Sequence, residues 1–499
     1  MQPLESELMA LSKPTLDKDL AKIVHVEVAT RSLANDFVAH GIALLFLGAA
    51  GVFAGIYAGV EANTALVIFA AILGGYMALN IGANDVANNV GPAVGSRAMT
   101  LMTALVIAAV FESAGALLAG GDVVSTISKG IIDPALVPDN NVFIMAMMAA
   151  LIAAALWVNL ATVIGAPVST THAVVGGVMG GGIAAAGFGL VNWATMGKIA
   201  ASWVISPLLG GIIAALFLFF IKVNVIYRED KIAAARRWVP LLIAIMAGAF
   251  ACYLSIKGLK RVWNPDGLSV AMIGIAAFLI AWSIVHPLIK RQSEGMENRN
   301  KSLRTLFQIP LICSAALLSF AHGANDVANA IGPLAAILHS AEFGNIATKA
   351  AVPPWIMVIG AFGISLGLFL YGPKLVRMVG DKITKMNPMR AYCVALSAAI
   401  TVIIASWLGL PVSSTHIAVG AVFGVGFFRE YYTSRGTRRL GKVTESGATA
   451  GTTKGPDEIR RRKLVRRSHF LTIIAAWVIT VPAAAVLSAI IFHALTLLQ

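Results

Sequence analysis

Two stretches decide the fold: GANDVANNVGP at residues 82–92 and GANDVANAIGP at residues 323–333. A second segment also occurs twice, as GAPVSTTH at residues 165–172 and as GLPVSSTH at residues 409–416. The copies of the first motif lie 241 residues apart, and those of the second lie 244 residues apart. Because order and spacing are both kept, the sequence predicts two copies of one structural unit.

The composition around these motifs is that of a membrane protein. Hydrophobic residues make up 58% of the 499 residues and charged residues only 12%, whereas about a quarter of a soluble domain is charged. This composition excludes an ordinary soluble enzyme and a disordered chain. The cysteines Cys252, Cys313 and Cys393 lie in apolar stretches without paired or metal-ligand spacing, which argues against a disulfide framework and a zinc finger.

Apolar stretches of about 20 residues predict membrane-crossing helices along most of the chain. We identify thirteen candidate passes, some of which could pair as re-entrant hairpins. They cover residues 38–60, 65–83, 97–121, 141–164, 168–188, 193–222, 238–257, 266–289, 305–330, 350–371, 391–409, 411–428 and 468–498. The alternation typical of a membrane β-barrel is absent from the sequence. The predicted fold class is an all-α integral membrane protein with about 12–13 transmembrane segments.

Positive charge is concentrated in a few loops. The chain carries a net charge of +14, and residues 429–467 contribute twelve Lys/Arg against four Asp/Glu. Further basic loops follow residues 222, 289 and 371. Because basic loops stay cytoplasmic, we predict a protein of the cytoplasmic (inner) membrane with its N-terminus in the cytosol and its C-terminus outside. This bias accounts for the basic charge without a nucleic-acid partner.

The motif pairs divide the chain into two halves. Five predicted passes lie in each half and two lie between them, so the halves enter the membrane in opposite directions. Such an inverted repeat is the architecture of many secondary transporters. The predicted segments are a cytosolic N-terminal segment (1–37), an extra transmembrane helix (38–64), the first repeat (65–222), two linking transmembrane helices with basic loops (223–304), the first part of the second repeat (305–428), a basic cytosolic loop (429–467) and the final transmembrane helix of the second repeat (468–499).

The first motif places a carboxylate at membrane depth in each half. Asp85 and Asp326 lie in apolar surroundings, where an ionisable residue is costly and usually functional. The amides beside them are Asn84, Asn88, Asn325 and Asn329. On a helix, Asn88 and Asn329 share the face of the carboxylates. Such a set of oxygens suits a hard cation such as Na⁺, or a proton; polar packing between helices is the alternative.

Glycine and proline flank both copies of this motif. Gly82 and Pro92 border the first copy, and Gly323 and Pro333 border the second. We expect these residues to interrupt the helix in each half. A broken helix would free backbone groups for ligand binding near the middle of the membrane.

The second motif offers hydroxyl groups. In each copy they follow a proline, Pro167 or Pro411, and precede a glycine-rich stretch. Hydroxyls and free backbone N–H groups at a helix N-terminus bind an anion well, and two such termini could converge on one tetrahedral oxyanion. Bonding of each hydroxyl to its own helical turn is the alternative. The predicted anion-binding residues are Ser169, Thr170, Thr171, Ser413, Ser414 and Thr415.

Three histidines and one glutamate are further candidates. His172 and His416 close the second motif and could orient a hydroxyl, carry a proton or hydrogen-bond within a packed interface. His322 has no counterpart, because Ile81 occupies the matching position, and is a hint of proton handling. Glu112 lies inside an apolar run and is a candidate for cation or proton coupling, with a packing role as the alternative.

At these residues the sequence resembles the inorganic phosphate transporter (PiT) family. The duplicated GANDVAN and PVSTTH/PVSSTH motifs are specific, and the match covers most of residues 65–222 and 305–498. The resemblance implies cation-coupled phosphate import through an inverted repeat. By similarity, the six hydroxyl residues above fall on the phosphate site. The ion and phosphate site of the family falls on Asp85, Asn88, Asp326 and Asn329, which are also the possible Na⁺ ligands.

The chain departs from the animal members of this family. They carry a glutamate shortly before the TVxIAS stretch of the second half, where this chain has Ala395. The first-half region 141–156 contains no acidic residue either. The sodium stoichiometry of the animal proteins is therefore not implied for this chain. Glu112, in contrast, matches a carboxylate of those proteins.

Two aspartates near a bound oxyanion favour phosphate over sulfate. Phosphate keeps a proton near neutral pH and can donate it to a carboxylate. Sulfate has no proton to give, so two aspartates favour phosphate unless Na⁺ bridges them. We therefore predict secondary active import of inorganic phosphate by Na⁺- or H⁺-coupled symport with alternating access. A sulfate permease of the same fold and a passive channel remain open alternatives. The symmetric duplication argues against a membrane enzyme with Ser169 or Ser413 as nucleophile.

The remaining expectations concern partners. We expect no cofactor besides the coupling ion, Na⁺ or H⁺. Phosphate could travel free or as a neutral metal–phosphate complex. The other expected partners are the lipid bilayer and, in a homo-oligomer, further copies of the chain. The predicted contributors to cation binding or coupling are Asn84, Asp85, Asn88, Glu112, Asn325, Asp326 and Asn329.

Overall fold

Helices make up nearly all of the part of the protein that the structure describes. The structure is a computed structural model and describes residues 37–57, 63–133, 136–137, 139–166, 168–258, 263–343, 352–382, 386–435 and 467–497. In chain order the helices are α1 (Phe37–Tyr57), α2 (Thr64–Gly95), α3 (Leu101–Ala119), α4 (Gly121–Lys129), α5 (Asn140–Ile164), α6 (Thr170–Ala186), α7 (Trp193–Ile221), α8 (Lys231–Lys257), α9 (Gly267–Gln292), α10 (Asn300–Leu306), α11 (Gln308–Phe343), α12 (Pro354–Leu370), α13 (Gly372–Lys382), α14 (Pro388–Trp407), α15 (Ser414–Arg435) and α16 (Arg467–Thr496). The β-structure in these ranges consists of one isolated antiparallel bridge between Ile132 and Val191.

The predicted fold class, an all-α integral membrane protein, is confirmed. Ten helices within the described ranges are long and apolar enough to cross a membrane. Three of the thirteen predicted passes do not meet that criterion and correspond to α6, α12 and α15. Helices α6 and α12 have only 17 residues each, and the last turns of α15 carry the charged residues Arg429, Glu430 and Arg435.

Helices α2 and α11 run without a break through the two copies of the first motif. Pro92 and Pro333 lie inside these helices, each of which continues beyond its proline. The expected interruption at the flanking glycines and prolines is therefore wrong. A membrane helix tolerates proline, which removes one backbone hydrogen bond, when neighbouring helices and side chains satisfy the freed group. The carboxylates are consequently presented from a helical face.

The helices of the two halves exchange partners. Helix α2 packs against α12 and α13 of the other half, and α11 packs in the same way against α3 and α4. Helices α7 and α15 form a further pair between the halves, and α16 and α6 form its counterpart. Each copy of the first motif is therefore enclosed largely by helices that come from the opposite half.

Glycines permit these contacts at matching positions in both halves. A Cβ atom on Gly82 would lie 1.9 Å from the carbonyl oxygen of Ile364, and one on Gly323 would lie 2.0 Å from that of Glu112. Other glycines with comparably close backbone neighbours are Gly115, Gly180, Gly367, Gly420 and Gly424. The flanking glycines of the motif therefore allow close helix packing, as small residues do in many membrane interfaces.

Helices α1, α8 and α9 lie outside this exchanged core. Helices α8 and α9 pack mainly on each other. Helix α1 rests on α2 and α12 through Ala50, Ala54 and Ile359, while Leu45 on its outer face is 74% exposed. Exposed apolar faces of this kind suit contact with lipid.

The close helix contact at Gly323 predicts a large effect of one methyl group. Gly323→Ala should lower the thermal unfolding midpoint in detergent, because overpacking against a backbone atom costs about 1–3 kcal/mol. Gly197→Ala is the matched control, since a Cβ atom at Gly197 in α7 meets nothing within 4 Å and alanine favours a helix. Equal midpoints for the two variants would contradict the packing described here.

Candidate functional site

Asp85 receives hydrogen bonds from both halves of the chain. Its carboxylate accepts one from the hydroxyl of Thr170 at 2.9 Å and one from the hydroxyl of Thr415 at 3.0 Å. All three side chains are buried. The first turns of α6 and α15 therefore converge on the motif carried by α2. A hydroxyl that donates to a carboxylate keeps its oxygen lone pairs available to a cation or to a second donor.

Asp326 occupies the equivalent place on α11 with different partners. The hydroxyl of Ser414 donates to it at 3.4 Å, and Nε2 of His322 lies 3.1 Å from the same carboxylate oxygen. The counterpart of Thr415 is Thr171, which instead donates to the carbonyl oxygen of Val412 at 2.9 Å. His322 thus takes the place that a threonine has beside Asp85. The second carboxylate oxygen of Asp326 has no hydrogen-bond partner among the described residues.

The two predicted amides join the same group of side chains. The amide of Asn88 donates to Thr415 at 2.8 Å, and that of Asn329 donates to Thr171 at 3.1 Å and to Thr170 at 3.3 Å. Each motif amide therefore contacts a hydroxyl of the opposite half. The carbonyl oxygen of Asn329 has no partner in the described structure.

His322 is more central to the site than its sequence position alone suggests. Its ring lies among three buried carboxylates: Nε2 is 3.1 Å from Asp326 and 3.8 Å from Asp85, and Nδ1 is 3.3 Å from Glu112. Asn89 holds Glu112 through a hydrogen bond of 2.7 Å. Two signals in the sequence point to this role. His322 precedes Asp326 by one helical turn, and it stands immediately before the duplicated segment, where the two halves differ.

The described site contains more negative than positive charge. Glu112 is fully buried, Asp85 and Asp326 are 1% exposed, and His322 is fully buried between them. One imidazolium compensates at most one of three carboxylates. Ligand atoms of Asp85, His322 and Asp326 lie within 4.8 Å of one another, close enough to share one metal ion. A bound cation would offset this excess of negative charge. The unpartnered oxygens of Asp326 and Asn329 are free to ligate it.

Ser169 and Ser413 cap the helices of the second motif. The Ser169 hydroxyl oxygen accepts a hydrogen bond from the backbone N–H of His172 at 3.1 Å, and Ser413 accepts one from that of His416 at 3.3 Å. This is the usual role of an N-cap serine. Both serines thus stabilise the helix ends that carry the threonines. Since each accepts through its oxygen, its hydroxyl proton stays available to an anion, and the role of Ser169 and Ser413 as phosphate ligands stays a prediction.

Asn84 and Asn325 hold the loops before these helices. The Asn84 carbonyl accepts from the backbone N–H of Val168 at 3.3 Å, and its amide donates to Thr162 at 3.0 Å. The Asn325 carbonyl accepts from the N–H of Val412 at 3.3 Å. These hydrogen bonds fit a role in positioning the hydroxyl loops, and the contribution of Asn84 and Asn325 to cation binding stays a prediction.

His172 and His416 pair behind the hydroxyl groups. Their ring centres lie 4.4 Å apart, and the ring of His172 lies 3.8 Å from that of Trp203. The indole of Trp203 donates to the carbonyl of Pro411 at 3.1 Å. Of the roles left open for these histidines, the contacts favour packing between the two halves.

Comparison with known proteins identifies the family of this chain. A family model described as "Phosphate transporter family" matches residues 81–488. A Helicobacter pylori (strain J99) protein named "Putative phosphate permease" is 45% identical, and the alignment covers 96% of this chain and 99% of that protein. A Pyrococcus furiosus relative of the same designation is 38% identical over 87% of this chain and 97% of its own length.

A solved structure extends the similarity to three dimensions. It is titled "The sodium-dependent phosphate transporter", and it superposes with a TM-score of 0.77 at 35% sequence identity. The match covers 87% of this chain and 100% of that one. The resemblance inferred from the duplicated motifs is confirmed, and this chain belongs to the phosphate transporter family.

Proposed function

We propose that this protein imports inorganic phosphate across the cytoplasmic membrane by Na⁺-coupled symport with alternating access. The surplus of buried negative charge around His322 carries the proposal. Adding a phosphate anion to three buried carboxylates and one imidazole would raise that surplus further, and charge repulsion is strong where water is scarce. Phosphate binding therefore requires that cations bind with it, which is the physical basis of obligatory coupling.

The donor set favours Na⁺ as the coupling ion. The carboxylates, amide carbonyls and threonine hydroxyls of the two motifs are hard oxygen ligands. The similarity to a protein titled as a sodium-dependent phosphate transporter supports the same choice. His322 offers nitrogen, which Na⁺ uses poorly, so we assign it to charge compensation beside Asp326 and Glu112.

The arrangement of carboxylates and hydroxyls favours phosphate as the anion. Near neutral pH phosphate carries a proton that it can donate to Asp85 or Asp326. Its other oxygens can accept from Thr170 and Thr415 when each of these hydroxyls turns its single proton from Asp85 to the anion. Sulfate lacks that proton and would meet the carboxylates without a donor. The placement of hydroxyls from both halves around one point suits a tetrahedral anion.

The exchanged packing of the two halves supports alternating access. We propose that the halves are inverted repeats and that the site lies between them, so that rocking of one set of paired helices against the other opens the site to each side in turn. The basic loops support a cytosolic N-terminus. The proposed membrane topology follows from that orientation, and an inward Na⁺ gradient would set the direction of net transport as import.

Uptake into proteoliposomes tests the proposed transport. An inward Na⁺ gradient should drive accumulation of labelled phosphate above its external concentration, and excess sulfate should leave the rate unchanged. Uptake driven only by a proton gradient would replace Na⁺ by H⁺ as the coupling ion. Equilibration without accumulation under either gradient would indicate a channel and overturn the proposal.

The carboxylates should be individually essential. Asp85→Asn or Asp326→Asn removes one charge and keeps the shape, and we expect each to reduce phosphate uptake by at least about a hundredfold, since a buried charged partner is worth about 3–5 kcal/mol. Asp266→Asn is the matched control, because Asp266 caps α9 at the surface. Wild-type uptake in either site variant, at equal membrane insertion, would refute the assignment.

The threonine hydroxyls should contribute less than the carboxylates. Thr170→Val and Thr415→Val should each lower uptake by about 10- to 100-fold, because a hydrogen bond to a charged group is worth about 1.5–3 kcal/mol. Thr401→Val removes an equally buried hydroxyl that bonds only its own helix at Ser397. If Thr401→Val impaired uptake as much as the other two variants, the losses would reflect stability and not the site.

A further inference from the structure

A long apolar groove lies on the outside of the molecule between α7 and α15. It encloses about 1000 Å³ and extends from the His172–His416 pair to Tyr431. The path along α15 from His416 to Tyr431 rises about 22 Å, which exceeds the roughly 15 Å of hydrocarbon in one leaflet. The groove walls include Trp203, Val204, Leu208, Phe423, Phe427 and Val478. Its length and apolar lining fit an extended acyl chain.

Cationic side chains gather at the Tyr431 end of this groove. The ammonium nitrogen of Lys222 lies 5.1 Å from the ring centre of Phe428, which lines the groove, and 4.3 Å from that of Tyr432. Arg390 and Arg429 belong to the same region, because Met389, next to Arg390, and Val425, one turn before Arg429, share a buried apolar cluster with Ile221, next to Lys222. These three cations come from α14, α15 and the π-helical turn that follows α7.

Two of the three cations have no acidic partner in the part of the chain that the structure describes. Among the described residues, no ion pair joins a carboxylate to Lys222 or Arg390. Arg390 also stands in the first turn of α14, where the helix dipole disfavours a cation. Arg429 has interactions of its own, and Glu430 follows it. The uncompensated positive charge of the cluster therefore rests mainly on Lys222 and Arg390. Both are half-buried, and a half-buried cation is stabilised by an anionic partner.

We propose that the groove and the basic cluster form a binding site for one anionic phospholipid of the cytoplasmic leaflet. The phosphate of the headgroup pairs with Lys222 and Arg390, and an acyl chain lies along α15 toward the His172–His416 pair. Basic pockets between helices on the cytoplasmic side recognise anionic lipids in this way. The site lies on the lipid-facing side of the histidine pair and is separate from the proposed transport site.

Two other occupants fit the observations less well. Inorganic phosphate would use the basic cluster but leave the apolar groove unexplained. A second copy of the chain would bring its own basic loops, and with a net charge of +14 per chain it supplies no surplus of negative charge opposite Lys222. A lipid accounts for the apolar and the basic part together.

Native mass spectrometry of the purified full chain tests the lipid site. The protein is released from mixed micelles that contain equal amounts of phosphatidylglycerol and phosphatidylcholine, and retained lipid is counted. We expect preferential retention of phosphatidylglycerol by the wild type. Each of Lys222→Gln and Arg390→Gln should weaken it about fivefold, since one basic side chain attracts an anionic lipid by about 1 kcal/mol. Lys290→Gln, in the exposed last turn of α9, should have no effect.

Groove-filling variants test the apolar half of the site. Leu208→Trp should reduce phosphatidylglycerol retention with every charge intact, whereas Ile205→Trp, similarly exposed on α7 but outside the groove, should not. Equal retention by the wild type and the Lys222→Gln/Arg390→Gln double variant would overturn the proposal. Displacement of the lipid by inorganic phosphate would overturn it too and assign the cluster to free phosphate. Conversion of a dimer to a monomer by Leu208→Trp, with retention unchanged, would assign the groove to a second copy.

Discussion

The rest of the structure depends on the cost of burying charge away from water. Asp85, Glu112 and Asp326 are buried around His322, and a carboxylate in such surroundings must be paired, hydrogen-bonded or neutralised. Hydroxyls and amides from both halves supply the hydrogen bonds, and one imidazole supplies at most one positive charge. In the proposed function, the remaining excess of negative charge makes the site a receptor for cations. A phosphate anion would increase that negative charge, so the proposal requires that anion and cation binding are thermodynamically linked.

Close packing between the halves brings these side chains together. Backbone contacts at Gly82 and Gly323 allow α2 and α11 to reach helices of the opposite half, and the loops held by Asn84 and Asn325 aim the threonines at the carboxylates. Each half thus supplies part of the partner set for the other. A change in the relative position of the halves would alter access to the site, as the proposed alternating access requires.

The fold class, the family and the side chains that converge could be predicted from the sequence, because a duplicated aspartate at membrane depth is costly unless it has a function. Gly82 and Gly323 are ambiguous in the sequence, because a glycine is expected both where two helices pack closely and where a helix is interrupted. The capping role of Ser169 and the central position of His322 depend on contacts that residue spacing within one motif does not encode. The asymmetry between Thr171 and Thr415 is likewise visible only in three dimensions.

Calorimetric titration of phosphate into the purified protein tests the linkage most directly. The titration is run at equal ionic strength in sodium chloride and in choline chloride, so that only the identity of the cation changes. Obligatory charge compensation predicts that phosphate affinity falls by about 5- to 150-fold or more without Na⁺, the range of a typical coupling free energy. The same phosphate Kd in both salts would contradict it, because the buried carboxylates would then need no sodium ion to accept the anion.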